Sequence, residues 1–311
     1  MNCIDRITYA GWKDCLRLAN DRIELVVTSE VGPRILRFGA IGGANLLHEV
    51  AEQSGLKGGA AWRSMGGHRL WHAPEAKPRT YSPDNEPVAF DILQDGVRLV
   101  QPVEPSTGIQ KELEIRFDAA GFRVKHRLRN LGPWPVELAP WAITIMAPGG
   151  VAILPQEPFA PHPDFPAGPA ESAAPASYLP ARSLALWSYT RLNDPRWLFL
   201  DRFLLVRQDP GLAAPLKVGV SNRQGWCGYA VNGELFLKRF PWQEGARYPD
   251  EGCNNEVFTN ADMLEVESLG PLATLGPQAS VEHEESWLHA GGFHPSLEDA
   301  SLAAALEILL R

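Results

Sequence analysis

Cysteine is scarce in this chain: Cys3, Cys15, Cys227 and Cys253 are the only four in 311 residues, and no two form a CxxC pair. That spacing excludes a zinc knuckle and a dithiol redox motif. It leaves free thiols in a reducing cytoplasm as the expectation, with a Cys227–Cys253 bridge as the alternative. No apolar run reaches the ~18 residues that a bilayer span needs. The opening residues, Met1-Asn2-Cys3-Ile4-Asp5-Arg6, lack the basic segment and apolar core of a secretory signal. A cytoplasmic protein without a membrane partner is expected. Basic residues are outnumbered, 29 Lys+Arg against 37 Asp+Glu, for a net charge of -8. Nucleic-acid backbones are bound by a basic excess, so no nucleic-acid partner is expected. A GxSxG elbow, a GxxxxGKS/T loop and a GxGxxG fingerprint after a strand are all missing, so nothing points to a serine hydrolase, a P-loop or a dinucleotide cofactor. Neither a cofactor nor a metal is expected.

What the chain does have is strand-like alternation. Hydrophobic residues make up 45% and charged residues 21% of it, an ordinary globular mixture. In 111–117, Leu113, Ile115 and Phe117 alternate with Glu112, Glu114 and Arg116. In 122–129, Phe122, Val124 and Leu128 alternate with Arg123, Lys125, Arg127 and Arg129, and His126 falls on the apolar side as a packed histidine. Such one-sided alternation belongs to antiparallel sheets. Asn232-Gly233 between two apolar runs marks a hairpin. With some fifteen strand candidates and no βαβ rhythm, the chain reads as an all-β antiparallel sandwich, and with no composition break 1–311 reads as one domain. A proline-rich stretch at about 154–182 is a long excursion rather than a strand, either covering a site or running over the surface. At the end, Ser296-Leu297-Glu298-Asp299 resembles a capping box, and Leu302, Leu306, Leu309 and Leu310 recur at helical spacing, which predicts a short C-terminal helix closed by Arg311.

Three stretches bring polar groups together. In 262–271, Glu265 and Glu267 share one face of a strand and Leu264 and Val266 the other; Gly270-Pro271 ends it. Two acids on one face make either a solvated edge or the floor of a polar site. In 66–75, Gly66 and Gly67 permit close backbone approach, and His68, Arg69, Trp71 and Glu75 supply a proton donor, an anion clamp, a flat platform and an acid. That mixture suits a sugar, whose C–H faces stack on aromatics while its hydroxyls need fixed partners. The bland alternative is a loop in which Trp71 plugs the core and His68 is merely hydrogen-bonded. His68 and His72, four apart, would pair on a metal only in a helix, which the flanking glycines and Pro74 oppose. In the third stretch, Lys238 lies between Phe236 and Phe240, and Asn254, Asn255 and Glu256 lead toward the paired-acid strand. Lys217 opens a further apolar strand. Each lysine either snorkels or serves as a cation in a cleft.

Taken in order, residues 31–38, 66–75, 129–132 with 140–144, 217–220, 235–240, 256–260, 264–271 and 282–288 resemble the galactose mutarotase-like superfamily, in particular its bacterial members of unassigned function. The resemblance implies a β-supersandwich with a sugar site on the concave face of the larger sheet. It implies aldose 1-epimerase chemistry, in which a late-strand glutamate takes the anomeric hydroxyl proton while a histidine protonates the ring oxygen, with no cofactor. Glu265 matches that base, with Glu267 as the alternative on the same face. Where those epimerases carry the acid histidine, Trp141 stands here, which leaves His68 as the replacement acid. Arg34, Arg69, Trp71, Glu75, Trp141, Lys217, Lys238, Asn255 and Glu256 are then the candidate sugar contacts, and the cations among them suit a sugar bearing a phosphate or carboxylate. The alternatives are a non-catalytic carbohydrate-binding protein on the same fold and, ranked last, a glycoside hydrolase or lyase. Two neighbours on one strand rarely flank a glycosidic bond from opposite sides.

Overall fold

The computed structural model describes residues 2–119, 121–164 and 178–310. Side-chain alternation sets the strands where it was read. Ile109–Phe117 turns Leu113 and Ile115 into the core, and Gly121–Asn130 buries Val124 and Leu128 beside them. The two run antiparallel with Ile115 opposite Val124. The Asn232-Gly233 turn has both residues at positive φ, 53° and 78°, as a two-residue hairpin requires, and it joins Trp226–Val231 to Glu234–Arg239.

Among the described residues the strands form two antiparallel sheets, of eleven and ten strands. They face each other across a single large apolar cluster that draws on both. Phe38 of the first sheet meets Phe236 and Trp287 of the second edge-on, each at 5.5 Å, contacts worth ~0.5–1.5 kcal/mol apiece beyond their buried area. The stretch of the larger sheet that matters below runs, strand beside strand, His68–Ala73, Val136–Met146, Leu264–Leu269, Asn255–Thr259 and Leu216–Val220. Pro140, with no N–H to give, sits where Val136–Met146 changes partner from Leu264–Leu269 to Ala273–Leu275.

The C-terminal helix is Asp299–Leu310, with Leu302 and Leu306 buried against Leu235 and Leu237. Its start differs from the expected capping box. Ser296 Oγ accepts from Glu298 N at 3.1 Å, and Asp299 is turned to Arg202. Arg311 lies outside the described residues, as do residues 165–177 of the proline-rich excursion, whose start completes the strand Val151–Pro155. Cys227 and Cys253 are free thiols, so the bridge does not form. No helix among the described residues is long and apolar enough to cross a membrane.

The stretch 66–75, read as a loop, is mostly the strand His68–Ala73. The two glycines before it are needed where they are. A Cβ on Gly66 would lie 2.2 Å from His48 O, and one on Gly67 would lie 2.2 Å from Ile35 O, with φ of +84° and +67°. Gly67→Ala is therefore expected to destabilise the fold by more than about 1 kcal/mol, read as a lower urea midpoint with an unchanged slope.

Between the sheets lies a closed polar network. His126 Nδ1 faces the carbonyl of His283 at 3.0 Å and must donate to it. In the neutral ring Nε2 then accepts, and the donor is His68 Nε2 at 2.7 Å. His68 Nδ1 in turn accepts from the Thr144 hydroxyl at 2.9 Å. Ser268 donates to Glu285 and accepts from His283 Nε2. Glu285 also takes Lys238 Nζ at 2.8 Å and Trp287 Nε1 at 2.7 Å. His68, His126 and Glu285 place ligand atoms within 4.8 Å of one another, a spacing that a metal ion could bridge. Every one of those atoms already has a partner, and the Lys238 ammonium sits against the carboxylate, so the set is explained without one.

All three histidines are held neutral. Burial foremost lowers His68, His126 and His283, the last to about 3, against the opposing pull of Glu285. A histidine with a depressed folded pKa gives stability that is whole above about 6.5 and is lost as the unfolded chain takes up protons below it. Glu265, raised from 4.5 to about 7, works with the opposite sign between those values. The expected result is a net loss of stability as pH falls below about 6.5, which Glu265 offsets only in part down to about 4.5. His283→Gln keeps a donor for Ser268 and should reduce the proton uptake on unfolding by up to one, as read from urea midpoints across pH.

Candidate functional site

Period two on five adjacent strands sorts the side chains into two sets. Leu70, Met146, Leu264, Val266, Val257, Leu216 and Val218 point into the sandwich. Their neighbours point the other way, and cross-strand pairing aligns them in rows. One row reads Trp71, Trp141 and Leu269; the next Arg69, Ile143, Glu267 and Glu256; the third Ile145, Glu265, Phe258 and Lys217. On this outward face lies a hollow of about 510 Å³, lined by Arg69, Trp71, Glu75, Trp141, Lys217 and Glu265 among the residues singled out from the sequence. Groups far apart in the chain therefore meet in one concavity of a size that takes a small molecule.

The same parity overturns several expectations. His68 points inward, fully buried on Thr144 and His126. It is on the opposite side of the sheet from Glu265 and cannot protonate a ligand there. Lys238 belongs to the second sheet and is spent on Glu285. Arg34 is bidentate to Asp84, at 2.8 and 3.0 Å, and also holds the carbonyls of Arg63 and Ser64. It braces the loop behind the hollow and is not among its lining residues. Asn255 donates to Glu267 O at 2.8 Å and accepts from Asn222, which makes it a strand tie. Glu256 and Glu267 face outward but are fully buried beneath the hollow. Sequence reading missed Trp62, Ser64, Tyr81, Trp187, Tyr189 and Phe258 on the wall. The one signal available for the first two was their place in a glycine-rich loop between Gly58-Gly59 and Gly66-Gly67.

Cations cover part of the aromatic wall. Arg69 lies over Trp71 at 4.6 Å and Trp62 at 5.0 Å. Lys217 lies over Trp141 at 4.5 Å and Trp187 at 4.7 Å. Trp71 meets Trp141 at 5.3 Å and Tyr81 at 4.9 Å, both edge-on. Beneath them Lys217 Nζ bridges Glu256 at 2.8 Å and Glu267 at 3.2 Å, and Trp141 Nε1 donates to Glu267 at 2.6 Å. Burial works against the Lys217 ammonium, but Glu267 and Glu256 outweigh it and hold its pKa well above the lysine range. Burial also pushes Glu256 well above the carboxylate range despite Lys217, with Glu267 and Asp250 adding to the shift. This floor is therefore a buried cation held between two acids.

Glu265 is different. It keeps 9% of its surface open, and its ionic contact is Arg69 at 3.8 Å. Burial first, then Glu267, raises it to about 7, against the pull of Arg69 and Lys217. A carboxyl half-protonated at neutral pH on the wall of a hollow can take up or release a proton. On the same wall Trp62 Nε1, Ser64 Oγ and Arg69 Nε are buried donors with no partner among the described residues, a set matched by an oxygen-rich ligand.

These features define a two-sheet β-supersandwich with an aromatic, acid-bearing hollow on the outer face of its larger sheet. The same fold is found in a galactose mutarotase-like protein from Lactobacillus casei, 9% identical over 89% of this chain and 100% of that one, with a TM-score of 0.56. A galactose mutarotase related enzyme from Lactobacillus acidophilus gives 8% identity, 94% and 98% coverage and a TM-score of 0.52. A galactose mutarotase-like protein from Clostridium acetobutylicum gives 12%, 93%, 99% and 0.50. The chain thus has the galactose mutarotase-like fold, and at such identities the likeness speaks for the fold alone. Neither a protein-family model nor a curated protein sequence matches it.

Proposed function

We propose that the hollow binds a small carbohydrate and that Glu265 performs proton transfer at its anomeric centre, an aldose 1-epimerase-like interconversion of anomers. The observation that carries this reading is the placement of Glu265, titrating near neutrality, on the wall of an aromatic concavity. Indole faces suit the C–H side of a sugar ring. The unpartnered donors of Trp62, Ser64 and Arg69 suit its oxygens, and a carboxylate or phosphate on the sugar would satisfy them best.

A second reading, carbohydrate binding without turnover, is favoured by a separate observation. No histidine lines the hollow among the described residues. The other proton donors there are tuned away from neutrality: burial pushes Tyr189 up to about 12 and Tyr81 higher still, and it brings Arg69 down only to about 10. Polarimetry on freshly dissolved α-glucose and α-galactose and on their uronic acid and 6-phosphate counterparts tests the first reading, and calorimetry on the same sugars tests the second. Acceleration of any of them supports epimerisation. Heat of binding without acceleration selects the second reading, and neither signal removes both.

A further inference from the structure

Glu265 differs from the other acids of the site in one respect that the epimerase-like reading leaves unused. Glu267 is tied to Trp141 and Lys217, Glu256 to Lys217, and Glu75 to the Tyr81 hydroxyl. The Glu265 carboxyl takes part in no hydrogen bond among the described residues, and Arg69, at 3.8 Å, stands beyond hydrogen-bonding range of it. Its cross-strand neighbours in the row are Ile145 and Phe258, both apolar, with Lys217 beyond Phe258. Both carboxyl oxygens are therefore uncommitted, and the groups beside them give no proton of their own at neutral pH.

We propose, building on the reading of the hollow as an epimerase-like site, that Glu265 supplies both proton transfers itself, acting from its carboxylic acid form as a two-handed catalyst on one anomeric carbon. A protonated carboxyl has one O–H donor and one carbonyl acceptor side by side. In a pyranose the ring oxygen O5 and the hydroxyl O1 are likewise side by side on C1. The acid proton of Glu265 passes to O5 as the C1–O5 bond breaks and its electron pair goes to O5. The O1 proton passes to the other carboxyl oxygen as the C1=O1 bond forms. Glu265 ends protonated on the opposite oxygen, charge is unchanged throughout, and the open-chain aldehyde closes on either face by the reverse transfers. No histidine is required, which accounts for Trp141 at the position where the resemblance calls for one and for His68 facing the interior.

This mechanism and the base-with-separate-acid mechanism differ in the sign of their pH dependence. A base is active when ionised, so its rate rises with pH through about 7; the two-handed acid is active when protonated, so its rate falls through the same range. The groups that face Glu265 are Arg69 from His68–Ala73, Glu267 from its own strand, Lys217 from Leu216–Val220, and Glu75 and Tyr81 from the loop that follows Ala73. Arg69, Tyr81 and Lys217 keep one charge state across neutrality, so a midpoint near 7 reports Glu265.

The test is the pH profile of kcat/KM for mutarotation by the wild-type chain, together with a proton inventory in mixed light and heavy water. The expected profile is flat below neutrality and falls about tenfold per pH unit above the midpoint, with an inventory curved as two moving protons require. A rate that rises through the midpoint, or an inventory linear in deuterium, overturns the proposal while leaving the epimerase-like reading intact. No acceleration of any aldose at any pH overturns both. Glu265→Asp, which keeps a carboxyl but withdraws it from the wall, is expected to lose rate with sugar affinity held. If that variant fails to fold, the wild-type profile decides alone.

Discussion

Lys238→Met is expected to destabilise the protein by about 3–5 kcal/mol, the cost of removing one partner from a fully buried ion pair. Lys238 and Glu285 are both fully buried and 2.8 Å apart. The ammonium also reaches Val266 O at 3.0 Å, the Thr144 hydroxyl at 3.3 Å and Ala142 O at 3.4 Å, so a single substitution strips one carboxylate and three neutral acceptors at once. Glu285 is held far below the carboxylate range; burial opposes that charge, and Lys238 chiefly supports it. Without the lysine, Glu285 should titrate upward, and the loss of stability should shrink as pH falls and the carboxyl takes a proton. Urea unfolding of Lys238→Met against the double variant K238M/E285Q checks this. The double variant should regain much of the loss, because a neutral amide no longer needs the cation. Equal destabilisation in both would mean that packing, not charge, holds this part of the interior.

On the proposed epimerase-like reading, Glu265→Gln is expected to lower the mutarotation rate by roughly 10²–10⁴-fold, the usual worth of one positioned acid–base group, while sugar affinity changes little. The amide matches the acid in shape, and the Glu265 side chain makes no hydrogen bond among the described residues, its ionic contact being Arg69 at 3.8 Å. Stability at about pH 8 should rise slightly. A carboxyl whose folded pKa is raised from 4.5 to about 7 contributes stability that is whole at low pH and is lost as pH rises through that range. The amide does not suffer that loss. A variant that turns over sugar at the wild-type rate would remove Glu265 from the chemistry.

Much of this was legible in the residues. Alternation in 111–117 and 122–129, the Asn232-Gly233 turn and the leucine spacing near the C-terminal end each predicted an element that the structure contains. The facing of Glu265 and Glu267 was equally legible, because Leu264 and Val266 between and beside them are unambiguous core residues. The His68 assignment failed for a physical reason. Residues 68–73 carry a polar or aromatic side chain at four of six positions, and the two aliphatic ones, Leu70 and Ala73, fall on opposite faces, so no apolar period marks them as a strand, and both faces are in fact buried. Had alternation been applied there, Arg69 and Trp71 would have fallen on one side and His68 and His72 on the other. Lys238 is the same lesson in another sheet. A lysine between Phe236 and Phe240 looks like a snorkelling side chain, and what keeps it inside is Glu285, 47 positions away in sequence. The wall residues Trp187 and Tyr189 are brought to the hollow by the pairing of Leu184–Leu186 with Leu216–Val220, a contact that local pattern does not encode.

One sheet thus carries two unrelated occupations on its two sides, assigned by nothing more than whether a position is odd or even along each strand. Arg69, Trp71, Trp141 and Glu265 make none of the hydrogen bonds described for the side chains of His68, Thr144, Ser268 and Glu285, and are joined to those on the same sheet through the backbone. Descendants of such a chain are free to try new ligands on the outer surface while the inner lining, which keeps the two layers in register, stays as it was. A scaffold so divided invites the redesign of one side by substitution at every second residue.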